Sequence, residues 1–441
     1  CPSRVLCENA PHLVASFMPE QITINMDTYR YVNVTVEGYG LQVNDEMWLT
    51  TADVRVAIAE WDSAYTLTDD DIKENRWKGL ARVHGIFLGR TPLTIGVRRN
   101  NQTLPVDGSL PLIVVRPERV IDTIFTTSVA LFISLIFINF GCAMHWPTIK
   151  KVLKKPIGPI IGMCGQFLFM PLMAFGLGFL IFPDNPAMRL GMFMTGVAPG
   201  GGASNIWTFI LGGNLNLSLA MTSISTIASF GFMPAWLFSL GQVVFRDAQI
   251  AVPYLHITYF VVGLLVPLAI GLAMQKFTPR VSAFMVRILK GFSTTLLLFI
   301  IIFAIITNLY IFELFTWEII VAGIGLPWLG YATGYGFARL LRQPHVDALA
   351  ISIETGIQNT GIAIFLLRYT LEAPEMDLTT VVPVACAIMT PIPMTAIFIY
   401  QKIKACIVNK NQAKKKDEDL SAVDDTLKPE EIATTETTKQ I

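Results

Sequence analysis

From about residue 120 to about residue 402 the chain is a succession of apolar segments, each close to the ~20 residues that cross a bilayer as a helix. Lipid offers a backbone no hydrogen-bond partner, so such a segment must close its own bonds, and within one segment only a helix does this. Nine candidate spans follow: about 120–144, 157–182, 187–211, 215–241, 251–274, 286–311, 317–341, 345–370 and 378–402. Two of them carry residues that an apolar helix does not. Gly196-Val197-Ala198-Pro199-Gly200-Gly201-Gly202-Ala203-Ser204-Asn205 interrupts the third, and Glu354-Thr355-Gly356-Ile357-Gln358-Asn359-Thr360-Gly361 interrupts the eighth. Non-helical backbone at membrane depth is tolerated where protein or a wet cavity surrounds it. A pair of Gly/Pro-interrupted spans, one in each half of a chain, points to the binding site of a secondary transporter.

Composition agrees. Hydrophobic residues make up 53% and charged residues 15%, with a mean hydropathy of +0.53, whereas soluble domains carry about 25% charge. The net charge of zero excludes the basic footprint of a nucleic-acid binder. The average hides three parts: a polar, β-rich segment over 1–118, a membrane segment over 119–402, and a charged tail over 403–441 whose Lys, acidic, Thr and Pro content reads as disordered. The tail's Lys414-Lys415-Lys416 cluster is a solvated flank of the last span or a contact to anionic lipid.

Charge in the loops sets the direction. Lys150, Lys151, Lys154 and Lys155, then Lys276, Arg280, Arg287 and Lys290, then Arg339 and Arg342, then Lys402 and Lys404 fall in alternate connections, while the others carry Asp184, Glu313, Glu372, Glu375 and Asp377. The positive-inside rule places the basic loops in the cytoplasm. An odd number of spans then puts the N-terminus outside, extracellular or lumenal, and the C-terminus inside. The first residue is Cys1, and removal of a signal peptide is the matching expectation.

Residues 1–118 alternate apolar and polar with the period of a half-buried strand. Ile22–Ile24, Tyr31–Val36, Val54–Ile58, Leu93–Val97 and Leu112–Val115 read as strands, with turn signals at Glu37-Gly38, Asn100-Asn101 and Asp107-Gly108. A small β-sandwich is the expected result. Asn33 and Asn101 head glycosylation triplets on the expected outside. Of the six cysteines, Cys142, Cys164, Cys386 and Cys406 lie in or near spans and read as free thiols. Cys1 and Cys7 are open between a disulfide with each other, a disulfide to a partner, and two free thiols. His12 and His84 stand alone and suggest no catalytic set.

The polar residues inside the spans are hard oxygen donors, the kind a hard cation selects. Ser204 and Asn205 follow the first break, and Ser218 and Thr222 lie four apart on one helix face. Glu354 supplies a formal charge, Gln358 follows one turn later, and Gln166 sits inside the second span. An ionisable side chain inside a span costs at least ~2.5 kcal/mol, which marks Glu354 as the strongest single candidate. The plainer alternatives are a glutamate that only caps a broken helix, Ser and Thr that bond back to the preceding turn, and glycines that serve close helix packing.

At these positions the chain resembles the bile acid:sodium symporter family. The likeness rests on Gln166 with Met170-Pro171, the Pro-Gly-Gly-x-Ala-Ser-Asn run, Asn216-Leu217-Ser218 with Met221-Thr222, and Glu354-x-Gly-x-Gln-Asn, over about 120–402. The polar N-terminal part is similar to that of the longer P3-like and P5-like branch. The resemblance implies two inverted repeats, panel and core domains, and two broken helices that cross. It implies two sodium sites, one from Ser204, Asn205, Ser218, Thr222 and Glu354, the other from Gln166, Glu354, Gln358 and backbone carbonyls near Thr355 and Ile357. It also puts Asn359, with Pro199 and Gly202 beside it, on the substrate side. One departure stands out: Gly202 occupies a position where bile-acid carriers show threonine.

The expectation is therefore a sodium-coupled symporter of an amphipathic organic anion, such as a bile acid, sterol or steroid conjugate, in the plasma membrane. Two rivals accompany it: proton coupling through Glu354, and a non-transporting receptor or assembly protein that works through its β-domain. The spans hold no nucleophile–base pair or metal set of an enzyme.

Overall fold

The computed structural model describes residues 13–288 and 314–426, apart from 40, 44, 63–66, 100, 101, 118, 145 and 249. Cys1, Cys7, His12, Asn101 and most of the expected span at 286–311 lie outside the described residues.

The N-terminal part is a β-sandwich. One sheet runs β5 (Ala57–Trp61), β6 (Arg76–Gly85), β3 (Tyr29–Gly38), β1 (Leu13–Met18) and β9 (Val106–Asp107). The other runs β2 (Ile22–Asn25), β10 (Leu110–Val115), β7 (Gly89–Arg99) and β4 (Glu46–Thr51), with β8 (Gln102–Leu104) also on β7. Period-two alternation drives this. Val32, Val34 and Val36 of β3 are fully buried and face Leu93, Ile95 and Val97 of β7 across one core that also takes Trp77, Leu110, Leu112 and Val114. Asn33, between two of those valines, is exposed. The sandwich also contains a buried charge pair. Asp45 accepts from Arg99 Nε and Nη2, both at 2.7 Å, and from the Gln42 amide at 2.9 Å. These bonds hold the Arg99 guanidinium above its ordinary range.

One strand expectation is corrected. Residues 54–56 form a turn and the strand begins at Ala57. The cause is Asp53, whose carboxylate accepts from the Arg55 amide at 2.9 Å and from its guanidinium, an Asx turn that a run of apolar residues does not reveal.

Beyond Val115 the described chain is helical. Among the described residues, five helical stretches are long and apolar enough to cross a bilayer: Val120–Ala143, Ile157–Ile181, Leu215–Phe238, Tyr254–Phe277 and Glu375–Val408. The last helix, Pro391–Thr426, runs past the expected boundary at 402. The disordered tail expected from 403 is therefore helix through Thr426. The stretch to Thr426 is rich in Lys and holds neither Gly nor Pro, so nothing in it stops the helix of the preceding span.

The two interrupted spans depart from the others. The first is a helix over Pro186–Val197, an extended stretch, then a helix over Ala203–Ile210. The second is a helix over His345–Gly356, an extended stretch, then a helix over Thr360–Thr370. Asn185 and Asn359 open the Pro186–Val197 and Thr360–Thr370 helices by accepting the amides of Met188 and Ile362, as Asn does at helix starts.

Candidate cation site at the helix crossing

The extended stretches of the two broken spans cross and pair. Gly200 and Gln358 form an antiparallel bridge. The Gly201 amide donates to the Ile357 carbonyl and the Asn359 amide to the Pro199 carbonyl, both at 2.8 Å. Each break leaves backbone groups without helical partners, and buried groups of that kind must find others. Here each break supplies partners for the other. Close approach demands glycine: a Cβ on Gly201 would lie 2.9 Å from the Gln358 carbonyl oxygen, and one on Gly356 would lie 2.2 Å from the Tyr331 ring.

One oxygen cluster lies on the first side of the crossing. Glu354 Oε2 accepts from Ser204 Oγ at 2.6 Å and from Thr222 Oγ1 at 2.9 Å. Ser218 Oγ donates to Asn205 Oδ1 at 2.9 Å, and Thr222 Oγ1 lies 3.4 Å from the same oxygen. Ser204 and Ser218 are fully buried, and Glu354 is 1% exposed. The five residues come from three helices, so no single element forms the cluster. Its shape leaves one valence open: Glu354 Oε1 is buried without a hydrogen-bond partner. That oxygen faces the bare Cα of Gly200, where a Cβ would come within 2.6 Å of it. Thr208, one turn beyond Ser204, was not anticipated; its Oγ1 donates to Ser218 Oγ at 3.3 Å. The Ser204/Thr208 spacing of four on one helix was the available signal.

A second polar cluster lies beside the first. Gln166 Nε2 donates to the Ala198 carbonyl at 2.8 Å and to Gln358 Oε1 at 2.6 Å. Gln358 Nε2 donates to the Thr355 carbonyl at 2.8 Å. Gln166 reaches inward because the helix around it widens to a π-turn over Gly165–Phe169, the kind of bulge that re-aims side chains at functional sites. Trp236 Nε1 caps the Phe167 carbonyl of that turn at 2.7 Å. Thr355 Oγ1 is buried and unpartnered. The carbonyls of Thr355 and Ile357 each already accept one bond, leaving one lone pair apiece. No hydrogen bond joins Glu354 to Gln166 or Gln358 among the described residues, so the glutamate sits with the hydroxyl cluster alone.

The positions expected on the substrate side gather at the crossing too. Pro199 and Asn359 are bonded through their backbones, and the Asn359 side-chain oxygen accepts the Ile362 amide at the helix cap. At Gly202 a Cβ would meet only Phe140 of helix Val120–Ala143, whose Cζ would lie at 3.3 Å. Phe140 is a neighbour that the sequence did not mark.

Every side-chain donor at the crossing is oxygen, or an amide that offers one, and two buried oxygens lack partners. That donor set fits a hard monovalent cation. The fold and this site define a multi-pass membrane protein of transporter type, and comparison with known proteins gives the family. The model of the Sodium Bile acid symporter family matches residues 130–313. Over 258 residues the chain is 31% identical to the sodium-dependent organic anion transporter of Bos taurus, covering 58% of this chain and 67% of that protein. It is 31% identical over 282 residues to the P3 protein of Bos taurus, covering 62% and 59% of the two chains. It is 27% identical over 291 residues to the ileal sodium/bile acid cotransporter of Cricetulus griseus, covering 65% and 82%. The chain belongs to the sodium bile acid symporter family, a family of membrane transporters. It spans 58–59% of the length of the P3 proteins it matches.

Proposed function

We propose that this protein is a sodium-coupled secondary transporter of an amphipathic organic anion, such as a bile acid, sterol or steroid conjugate. The observation that carries the reading is the buried Glu354 carboxylate, with one oxygen shared by Ser204 and Thr222 and the other unpartnered. A cation that fills the open valence neutralises the charge and joins helices across the crossing. In this reading one sodium is held by Ser204, Asn205, Ser218, Thr222 and Glu354. A second is held by Gln166, Gln358, Thr355 and the carbonyls at 355 and 357, with Glu354 nearby. The organic anion binds where Pro199, Gly202 and Asn359 meet, attracted by the positive ends of the two half-helices that start there.

The proposal includes nine spans in two inverted repeats, a panel domain and a core domain, and alternating access by movement of one against the other. It places the sandwich and a glycosylated Asn33 outside the cell and the C-terminal helix in the cytoplasm of a plasma-membrane protein. Cell uptake of radiolabelled bile acids and steroid sulfates tests it, with sodium replaced by choline. Sodium-dependent uptake that Glu354→Gln abolishes supports the reading, and unchanged sodium dependence in the variant sinks the cage. A proton on the unpartnered Glu354 oxygen is the rival coupling ion. Uptake driven by a pH gradient alone, without sodium, would establish that rival instead.

A further inference from the structure

Two arginines tie the β-sandwich to the helices at one end of the broken span. Arg90, near the start of β7, grips Glu375 with two of its guanidinium nitrogens: Nε to Oε1 at 2.5 Å and Nη2 to Oε2 at 3.0 Å. Arg116, the residue after β10, lies between Asp122 Oδ1 at 2.9 Å and Asp377 Oδ1 at 3.7 Å. Asp122 is in the first turn of helix Val120–Ala143, and Asp377 is in the short helix Glu375–Leu378. Asp377 also accepts from Arg368 Nη2 at 2.9 Å, and Arg368 is in the last turn of the Thr360–Thr370 helix.

The result is a continuous ion chain, Asp122–Arg116–Asp377–Arg368, with the Arg90–Glu375 pair alongside. The chain's side chains are largely withdrawn from water, 9% exposed for Arg116, 6% for Arg368 and 1% for Asp377, and Glu375 is 11% exposed beneath Arg90, whose own side chain is 55% exposed at the rim. Buried pairs add little net stability over apolar packing, yet breaking one partner away is costly. Such a chain therefore specifies a geometry. The geometry it specifies matters, because the Thr360–Thr370 helix is one rigid rod of about 16 Å. One end carries Arg368, and the other begins at Asn359 in the crossing.

We propose that the β-sandwich latches the broken-helix crossing: Arg90 and Arg116 hold Glu375 and Asp377, and through Arg368 they fix the rod whose other end is Asn359. The latch joins three bodies: the sandwich, the head of helix Val120–Ala143, and the second half of the broken span. Relative movement of the last two must part Arg116 from one of its two aspartates. The latch stands whichever ion or substrate the crossing takes.

Hydrogen exchange of the purified full chain in choline buffer, followed by peptide mass spectrometry, tests this without sodium or substrate. Arg90→Ala should speed exchange about fivefold both over 368–380 and over 357–362. The charge swap Arg90→Glu with Glu375→Arg should return both toward wild type. Arg82→Ala, which removes an exposed sandwich pair with Glu60, should change neither. Protection of the buried amides over 32–36 checks that each variant keeps its sandwich. Acceleration confined to 368–380, with 357–362 unchanged in a folded Arg90→Ala variant, would overturn the latch. So would a folded swap that leaves 357–362 as fast as the alanine variant.

Discussion

Replacing Glu354 by Gln changes one atom of the cage, and the structure allows the consequence to be worked out. The glutamine keeps an oxygen that Ser204 and Thr222 can share, so the 2.6 and 2.9 Å bonds survive as neutral hydrogen bonds. Bonds to charged groups contribute about 1.5–3 kcal/mol and neutral ones about 0.5–1.5, so the two together weaken by about 2–3 kcal/mol. Removing a buried charge with an unpartnered oxygen offsets part of that, and the sodium-free variant should melt within a few degrees of wild type. Sodium is where the two should part. At a sodium concentration a hundredfold above its dissociation constant, binding adds about 2.7 kcal/mol to the folded state. For a chain this size that is a rise of about 3 degrees in Tm. The assay is the thermal midpoint of purified protein in sodium and in choline chloride at equal ionic strength. The rise should appear in wild type and vanish in Glu354→Gln. An equal sodium-specific rise in both proteins would refute the reasoning, because the neutral cage would then hold the ion as well as the charged one.

Three further outcomes follow from the packing. Gly200→Ala places a Cβ 2.6 Å from Glu354 Oε1; it should cost about 1–3 kcal/mol through overpacking and erase the sodium-dependent rise in the same melting assay. Trp236→Phe removes the 2.7 Å bond to the Phe167 carbonyl, leaving a π-turn carbonyl without its partner. It should cost about 1–3 kcal/mol, read as a lower midpoint in choline. Arg99→Ala strips the buried Asp45 of its guanidinium; breaking such a pair costs about 3–5 kcal/mol. Faster exchange over 45–51 and 93–99, with the helices unaffected, would confirm that the loss is confined to the sandwich.

Much of the crossing was legible because lipid makes its exceptions conspicuous. Pro-Gly-Gly-Gly and Glu-x-Gly-x-Gln-Asn cannot sit in a plain apolar helix, so Ser204, Asn205, Glu354 and Gln358 declared themselves. The i,i+4 pair Ser218/Thr222 followed from helix geometry. Other features had no local signature. The π-turn that aims Gln166 depends on Trp236, some seventy positions away in sequence. Phe140 beside Gly202 belongs to a helix whose apolar sequence shows no preferred face. In the sandwich, β1 and β6 were missed because each blurs the apolar/polar alternation, β1 with Val14 and Met18 facing outward and β6 with an outward Leu80 beside Gly79, and the Asp53 turn looked like the start of a strand. Nothing local marked Arg90 and Arg116 as partners of Glu375 and Asp377: those contacts join residues 285 apart in one case. The negative residues of that loop were read only as the sparse side of a charge asymmetry.

Equilibrium binding of radioactive sodium to the purified protein asks outright whether the oxygen cluster at the crossing holds the ion. Binding should be saturable, displaced by unlabelled sodium and not by choline, and lost in Glu354→Gln. Absence of saturable binding to the folded wild-type protein, with and without bile acids and steroid sulfates present, would contradict sodium binding at the crossing.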